Sequence, residues 1–599
     1  MELLNLDGVI EKGVFEIPSY QRGYAWQKGQ LEDFWNDLEH VSKLGDKFHY
    51  MHSLTLRGLE NEFEDSAFEI IDGQQRLATS LILLGLLAKT TQNKDPKYSL
   101  INLEPVLSYK YYGLSEAFRA IMEEEKDLKR FQTSSFYAKN LIDAHAFFQE
   151  KISDTSMETL EKMFDALTKK MLFSVAELND NRIDPFSSFE TINNRGKDLS
   201  TLELLKNRLH FVAHKICDEE DLENLQQEIN DTYTRIYHDL RSFEDDHLRD
   251  FLKHFVAYYY GEKRDFKERL LNTAFDAHKK YDDLYDEYKK INDLLLHLSY
   301  SSKVWYFLHT LDDEELRIEI TPKMRGLLDK MRRLNALSEN AFLPLLLSLL
   351  TIQLAVRSGS ERHYTTKELE VLLEYLERFG FLIYGVADGK NTAKNEWIGL
   401  AFKAIQACRF WGDKITIEDL PTLEKSFFNR QGNSALELLE ESIHSKKNTE
   451  KWYQWGKALN YLLYEYELYH NPETTLNFDD SIESIEHILP QKPDQGYSAK
   501  EKSWAKNPHI AHALGNLLLI PKNANSSLSN KPFEEKRKEY LKGSYSEKEV
   551  AKNASFGVVQ IKERSEKLLD FLIAHYRIAE LVGESEIKAF KNALLKDIE

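Results

Sequence analysis

The residues with the clearest chemical potential lie near the C-terminus, where Glu486 and His487 stand side by side and Asn516 and Asn525 follow in the next forty positions. A carboxylate and an amide oxygen offer ligands to a hard divalent cation, Mg2+ or Mn2+. An imidazole beside them is a base able to take a proton from water near neutral pH. Together they would hydrolyse a phosphodiester, the cation offsetting charge on the leaving oxygen. Lys522, Lys531 and Lys536 share the stretch and would hold phosphates. A zinc centre is disfavoured, because no cysteine and no tight histidine pair accompanies the site. Taken singly, His487 reads as a core histidine and the asparagines as turn formers. The three-part spacing with a helix behind it argues for the site.

Three more polar clusters lie towards the N-terminus: Pro18-Ser-Tyr20-Gln21-Arg22-Gly-Tyr-Ala-Trp26, then Asp72-Gly73-Gln74-Gln75-Arg76, then Asn193-Asn-Arg195-Gly196. Each supplies an arginine, whose planar fork suits phosphate. Amides can read base or sugar edges, and a helix N-terminus favours an anion. A nucleotide (GTP, ATP or another triphosphate) or a nucleic-acid phosphate is the expected guest. The bland alternative makes Asp72-Gly73 a turn, Arg76 a surface cation, and Tyr20, Tyr24 and Trp26 core.

These residues need elements to position them. Phe15 to Pro18, Ser53 to Leu56, Phe68 to Ile71 and Met171 to Ala176 read as extended; the apolar run from Leu77 to Ala88 reads as a helix, so Asp72-Gly73 sits at a strand-to-helix junction. Residues 98–171 read mostly as helix, and 213–430 as helix after helix. Leu284, Tyr288, Ile291, Leu295 and Leu298 form a stripe that fits an internal bundle seam or a homodimer contact. Ser481 to Ile488 and Gly515 to Ile520 read as strands, and Pro532 to Lys542 as a helix. Successive strand residues face opposite ways, so Glu486 and His487 can share one ion only if the strand end re-aims one of them, and Pro490 is a reason for the strand to end there.

Composition sets the frame. A chain of 599 residues exceeds one core and predicts several domains. Two distant cysteines exclude a disulfide framework, and a reducing cytoplasm is expected. The apolar run from Ala341 to Val356 carries Ser348, Thr351 and Gln353 and is short of a membrane span, so no membrane association is expected. The net charge of -20 disfavours a protein that coats DNA. From Glu486 to Tyr545 the sign reverses, ten basic side chains facing six acidic ones.

The two groups of motifs together carry a resemblance. Glu-His-Ile-Leu-Pro-Gln, Gly-Asn-Leu and Asn-Ala-Asn look like the HNH, or ββα-metal, nuclease signature. Tyr-Gln-Arg, Asp-Gly-Gln-Gln-Arg and Phe-Glu-Thr-Ile-Asn-Asn-Arg-Gly resemble the ParB/sulfiredoxin-like domain of type IV, modification-dependent restriction enzymes of the GmrSD kind. The resemblance implies an α+β, predominantly helical chain: an α/β nucleotide-binding and sensor domain over 1–212, a helical linking domain over 213–430, and an HNH-like nuclease domain over 431–599. It implies His487 as general base, Glu486 and Asn525 as metal ligands, with Glu486 where aspartate is commoner, and Asn516 as the brace of the loop. It also implies hydrolysis of a nucleoside triphosphate coupled to recognition of modified phage DNA. One departure is His52, where the family usually has glycine. A modification sensor that recruits another nuclease, and a nucleotide-gated RNase or nickase toxin, are the alternatives.

Overall fold

The computed structural model describes residues 2–59, 66–93, 95–98, 100–110, 113–123, 125–132, 134–178, 199–243, 245–263, 265–277, 279–281, 283–356, 363–410, 412–476, 482–493 and 496–598. It divides into two compact units, Met1–Phe307 with Glu314–Leu316, and Leu308–Asp313 with Arg317–Glu599. The expected boundaries at 212 and 430 fall inside these two units. The helix Thr201–Ile216 runs through the first boundary and packs on Glu219–Asp239, both within the first unit.

The first unit is built on a six-stranded mixed sheet. Its strands are β1 (Glu2–Asn5), β2 (Val14–Ile17), β3 (His49–Gly58), β4 (Ala67–Asp72), β5 (Leu107–Tyr109) and β6 (Met171–Glu177), in the order β1-β6-β3-β4-β2-β5. β4 is parallel to β2 and antiparallel to β3. The helix Gln74–Thr90, buried along nearly all its length, packs against the helices Phe136–Ser153 and Met157–Lys169. Its all-round apolar sequence follows from that: a helix covered on every side has no need of a polar face. β5 lies inside the stretch read as helical, because three residues are too few to show a period.

The β4-to-helix turn depends on Gly73, whose φ is +103° and at which a Cβ would lie 2.9 Å from Leu54 Cδ1. On the facing strand, β3 shifts register between Tyr50 and Ser53, and His52 adopts a φ of +67°. A left-handed residue at this bulge gives a physical reason for glycine there in related chains.

In the second unit the helices Pro322–Ser338, Leu343–Ala355, Thr366–Phe379 and Lys394–Phe410 pack together, Thr366–Phe379 running on into a π-helical segment, Gly380–Val386. Leu343–Ala355 is the apolar run at 341–356. It is a buried helix whose Ser348 Oγ donates to Ala401 O at 2.8 Å. Among the described residues no helix is long and apolar enough to cross a membrane. The stripe at 284–298 is spent inside the first unit at Ile291, Leu295 and Leu298, whereas Leu284 is exposed. After the helices Ala435–His444 and Lys457–His470 come β7 (Glu483–His487) and β8 (Leu517–Pro521), antiparallel, with His487 opposite Leu517, and then the helices Lys522–Leu528, Phe533–Tyr540 and Val558–His575. Pro532 stands just ahead of Phe533–Tyr540, as expected.

Candidate nuclease site

His487 is the last residue of β7, and its ring lies in a pocket of other rings. Nε2 is 3.1 Å from His512 Nδ1, Gln491 Nε2 lies 3.3 Å from the imidazole, and the Tyr453 ring packs 5.0 Å away. Burial, then the neighbouring His512 and Lys536, push the His487 imidazole down to about 3, so it is neutral at ordinary pH. His512 is lowered in the same way by burial. Sequence reasoning did not find His512; its separation of 25 residues from His487 hides the pair from any local pattern.

Glu486 points to the opposite face of β7, as strand alternation dictates. Lys536 Nζ contacts its Oε1 at 2.5 Å and also donates to His487 O at 2.9 Å and Ile488 O at 3.3 Å, while Tyr540 Oη donates to the same Oε1 at 3.1 Å. Burial pushes Glu486 up and Lys536 down from their ordinary values, and each offsets the other's shift. Lys536 is fully buried and serves as a structural counter-ion, not as the phosphate contact expected of it. Lys522 and Lys531 are exposed.

Asn525 lies on the helix Lys522–Leu528, directly after β8. Its Nδ2 donates to Ser484 Oγ at 2.8 Å and to Ile485 O at 3.2 Å, and its Oδ1 remains for a ligand. For a divalent cation the fit is partial: Asn525 keeps an oxygen for one, whereas the Glu486 carboxylate is held by an ammonium group. Among the described residues, the close spacing of three ligand side chains occurs at His238, Asp239 and Glu315 in the first unit. There Arg241 NH1 lies 3.2 Å from the His238 Nδ1 that an ion would need.

Asn516 is fully buried and ties the site's loops together. Its Oδ1 accepts from Leu489 N at 2.8 Å, its Nδ2 donates to Leu489 O at 3.0 Å and Ala511 O at 2.7 Å, and its carbonyl accepts from Ile488 N at 3.0 Å. Gly515 before it lets the helix Val558–His575 come close, since a Cβ there would lie 2.0 Å from Ile561 O. Arg564 NH1 then donates to Gly515 O and Leu517 O at 2.9 and 2.7 Å. The Gly-Asn-Leu motif is thus a packing joint that fixes where β7 ends.

Two of the three arginine clusters, those at 18–26 and 72–76, meet at β4 and the start of the helix after it. Asp72 Oδ2 accepts from Ser53 Oγ at 2.9 Å and from Arg76 NH2 at 3.2 Å, and Arg76 NH2 also donates to Ser53 O at 2.6 Å. Gln75 Oε1 accepts from Ala25 N at 2.8 Å and its Nε2 donates to Gly23 O at 2.9 Å; Gln21 Nε2 donates to Ile70 O and Ile71 O. Gln21 thus ties the segment 18–26 to β4 and Gln75 ties it to the helix Gln74–Thr90, where both ends of the Gln75 amide are spent on backbone. Gln74 is buried and its Oε1 has no protein partner. Tyr20 packs with Leu199 and Phe211. Arg22 lines a cavity of about 300 Å3 with Tyr137, Glu203 and Arg249. Asn193 and Arg195 lie outside the described residues.

The chain thus joins a mixed-sheet part with a glycine-turned Asp-Gly-Gln-Gln-Arg junction to a part in which an antiparallel strand pair and the helix after it carry Glu-His and Asn. Family models agree: the GmrSD restriction endonuclease N-terminal domain matches residues 3–210, and the GmrSD restriction endonucleases C-terminal domain matches 439–571. The chain belongs to the GmrSD family of type IV restriction endonucleases. Comparison with curated proteins finds no match.

Proposed function

We propose that this restriction endonuclease cuts modified phage DNA, is controlled by a nucleoside triphosphate bound and hydrolysed at the first unit, and uses Mg2+ or Mn2+ at an HNH-like site. The observation that carries the reading is the neutral His487 at the end of β7, with His512 3.1 Å away and the helix-borne Asn525 beside the same strand. His487 takes the proton of the attacking water, and the His512 nitrogen fixes the imidazole's orientation and tautomer. Exposed Lys522 and Lys531 attract the DNA backbone. A cation on Asn525 Oδ1 would supply charge for the leaving oxygen; the steps assigned to His487, His512 and the lysines do not run through it.

At the first unit, Arg22 and Arg76 meet the phosphates, with Gly73 and the N-terminus of Gln74–Thr90 below them. The test is a cleavage assay on phage DNAs that differ only in modification (glucosylated hydroxymethylcytosine, other modified cytosines, phosphorothioate) with and without GTP or ATP. Cutting of modified DNA alone, lost in His487→Ala, supports the reading. Equal cutting of plain plasmid or of RNA, or none by the purified chain, defeats it.

A further inference from the structure

His487 and His512 meet nitrogen to nitrogen, Nε2 to Nδ1 at 3.1 Å, with the rings nearly perpendicular at 84°. One proton lies between two imidazole nitrogens so placed, and one ring donates while the other accepts. If His512 Nδ1 carries that proton, a neutral His487 carries its own on Nδ1 and has no lone pair left for water. If His487 Nε2 carries it, Nδ1 is the open nitrogen. Gln491 decides between the two. Its amide Nε2 can only donate and stands 3.3 Å from each His487 nitrogen. In the first arrangement it would have no acceptor, because Nδ1 is protonated and Nε2 is already engaged by His512. In the second it donates to Nδ1.

The two rings also differ in the charge around them. The Lys536 ammonium is fixed 2.9 Å from the His487 carbonyl and opposes positive charge on that ring. Burial opposes it on His512 as well, but there the Glu450 carboxylate offsets the effect. The Tyr453 ring packs on both imidazoles, 5.0 Å from His487 and 5.9 Å from His512, and holds them in line.

We propose that, with His487 as the base of the nuclease site, His512 is its proton relay. A water proton enters at His487 Nδ1 as the His487 Nε2 proton crosses to His512 Nδ1. The water oxygen bonds to phosphorus, the bond from phosphorus to the leaving oxygen breaks, and the leaving oxygen draws a proton from solvent. The positive charge rests on His512, beside Glu450, and not beside Lys536. Once the products depart, the chain runs backward and His487 Nδ1 returns the proton to solvent, so atoms and charge balance over the cycle. His512 acts through His487 and touches no substrate.

The test is single-turnover cleavage of a modified phage DNA that the parent cuts, run in mixtures of H2O and D2O with the parent, His487→Ala and His512→Asn. The asparagine puts an amide oxygen in place of Nδ1. It accepts from His487 Nε2, and so keeps that ring's orientation and tautomer, but it takes up no proton. Folded His512→Asn is expected to cleave about a hundredfold more slowly than the parent. The rate should depend on the D2O fraction as two moving protons require in the parent, and as one in the variant. In 15N spectra of the parent, His487 should carry its proton on Nε2. Folded His512→Asn cutting at the parent's rate, or a one-proton dependence in the parent, overturns the relay and leaves His487 as a base whose ring is merely held. A proton on His487 Nδ1 overturns it whether or not the variant folds. Cleavage retained in His487→Ala overturns the relay together with the assignment of the base.

Discussion

Lys536 Nζ and Glu486 Oε1, fifty residues apart in sequence, form a 2.5 Å ion pair from which solvent is excluded. The pair anchors the helix Phe533–Tyr540 to the end of β7, because the same ammonium group also holds the His487 and Ile488 carbonyls. Removing one partner strands the other's charge in the interior, at a cost of about 3–5 kcal/mol, whereas replacing both with apolar groups is close to neutral. Lys536→Met is expected to lower urea stability by at least that amount, and Glu486→Leu/Lys536→Met to recover the part owed to the stranded carboxylate, the His487 and Ile488 carbonyls remaining unmet. A double variant as unstable as the single one would show that the pair is not what holds the helix.

The His487 imidazole gives a pH signature. Its folded pKa is about 3 and its unfolded value about 6.5, so between those limits the unfolded chain binds a proton that the folded chain refuses. Its contribution to stability is therefore intact above pH 6.5 and is lost as pH falls towards 3. The melting temperature of the parent should drop more steeply from pH 7 to pH 4 than that of His487→Asn. Parallel curves would mean that the imidazole is not shielded as the structure shows.

Asn516 makes three hydrogen bonds through its side chain, all to buried backbone. Asn516→Ala leaves Leu489 N, Leu489 O and Ala511 O unmet and should cost roughly 2–4 kcal/mol, with cleavage falling because β7 no longer ends where His487 is needed. Full cleavage in a destabilised but folded variant would separate the loop from the chemistry.

In the first unit, Gln75→Leu removes the partners of Ala25 N and Gly23 O. The expected result is a loss of roughly 2–4 kcal/mol and of nucleotide turnover, since the segment bearing Arg22 is released. Arg76→Ala should lose turnover with a smaller change in stability, as its ion pair with Asp72 is partly exposed. Phosphate release measured beside thermal melts distinguishes the two patterns.

Lys522→Glu and Lys531→Glu should weaken DNA binding uniformly across sequences and reduce the salt slope by about 1 for each phosphate that is no longer neutralised. An unchanged slope would place the DNA elsewhere on the unit.

Much of this arrangement was legible locally. The β4-to-helix junction, the two late strands and the helix after Pro532 follow from apolar period and turn residues, and strand alternation already required Glu486 and His487 to diverge. What local pattern does not carry is long-range: Lys536 reaching Glu486, His512 reaching His487, and Arg564 reaching the Gly515 and Leu517 carbonyls join residues whose spacing has no period. The helix Lys522–Leu528 was hidden because Asn-Ala-Asn-Ser-Ser has poor helix propensity, and its packing on β7 and β8 overrides that.

Since Gln75 gives both ends of its amide, and Gln21 its Nε2, to the chain's own backbone, the selectivity of the proposed nucleotide site falls to its guanidinium groups, to the unpartnered Gln74 oxygen and to the contours around them. A change in what that site accepts would then be sought by reshaping Phe136 and Tyr137 in the hollow beside Arg22, with Gln75 left untouched as masonry.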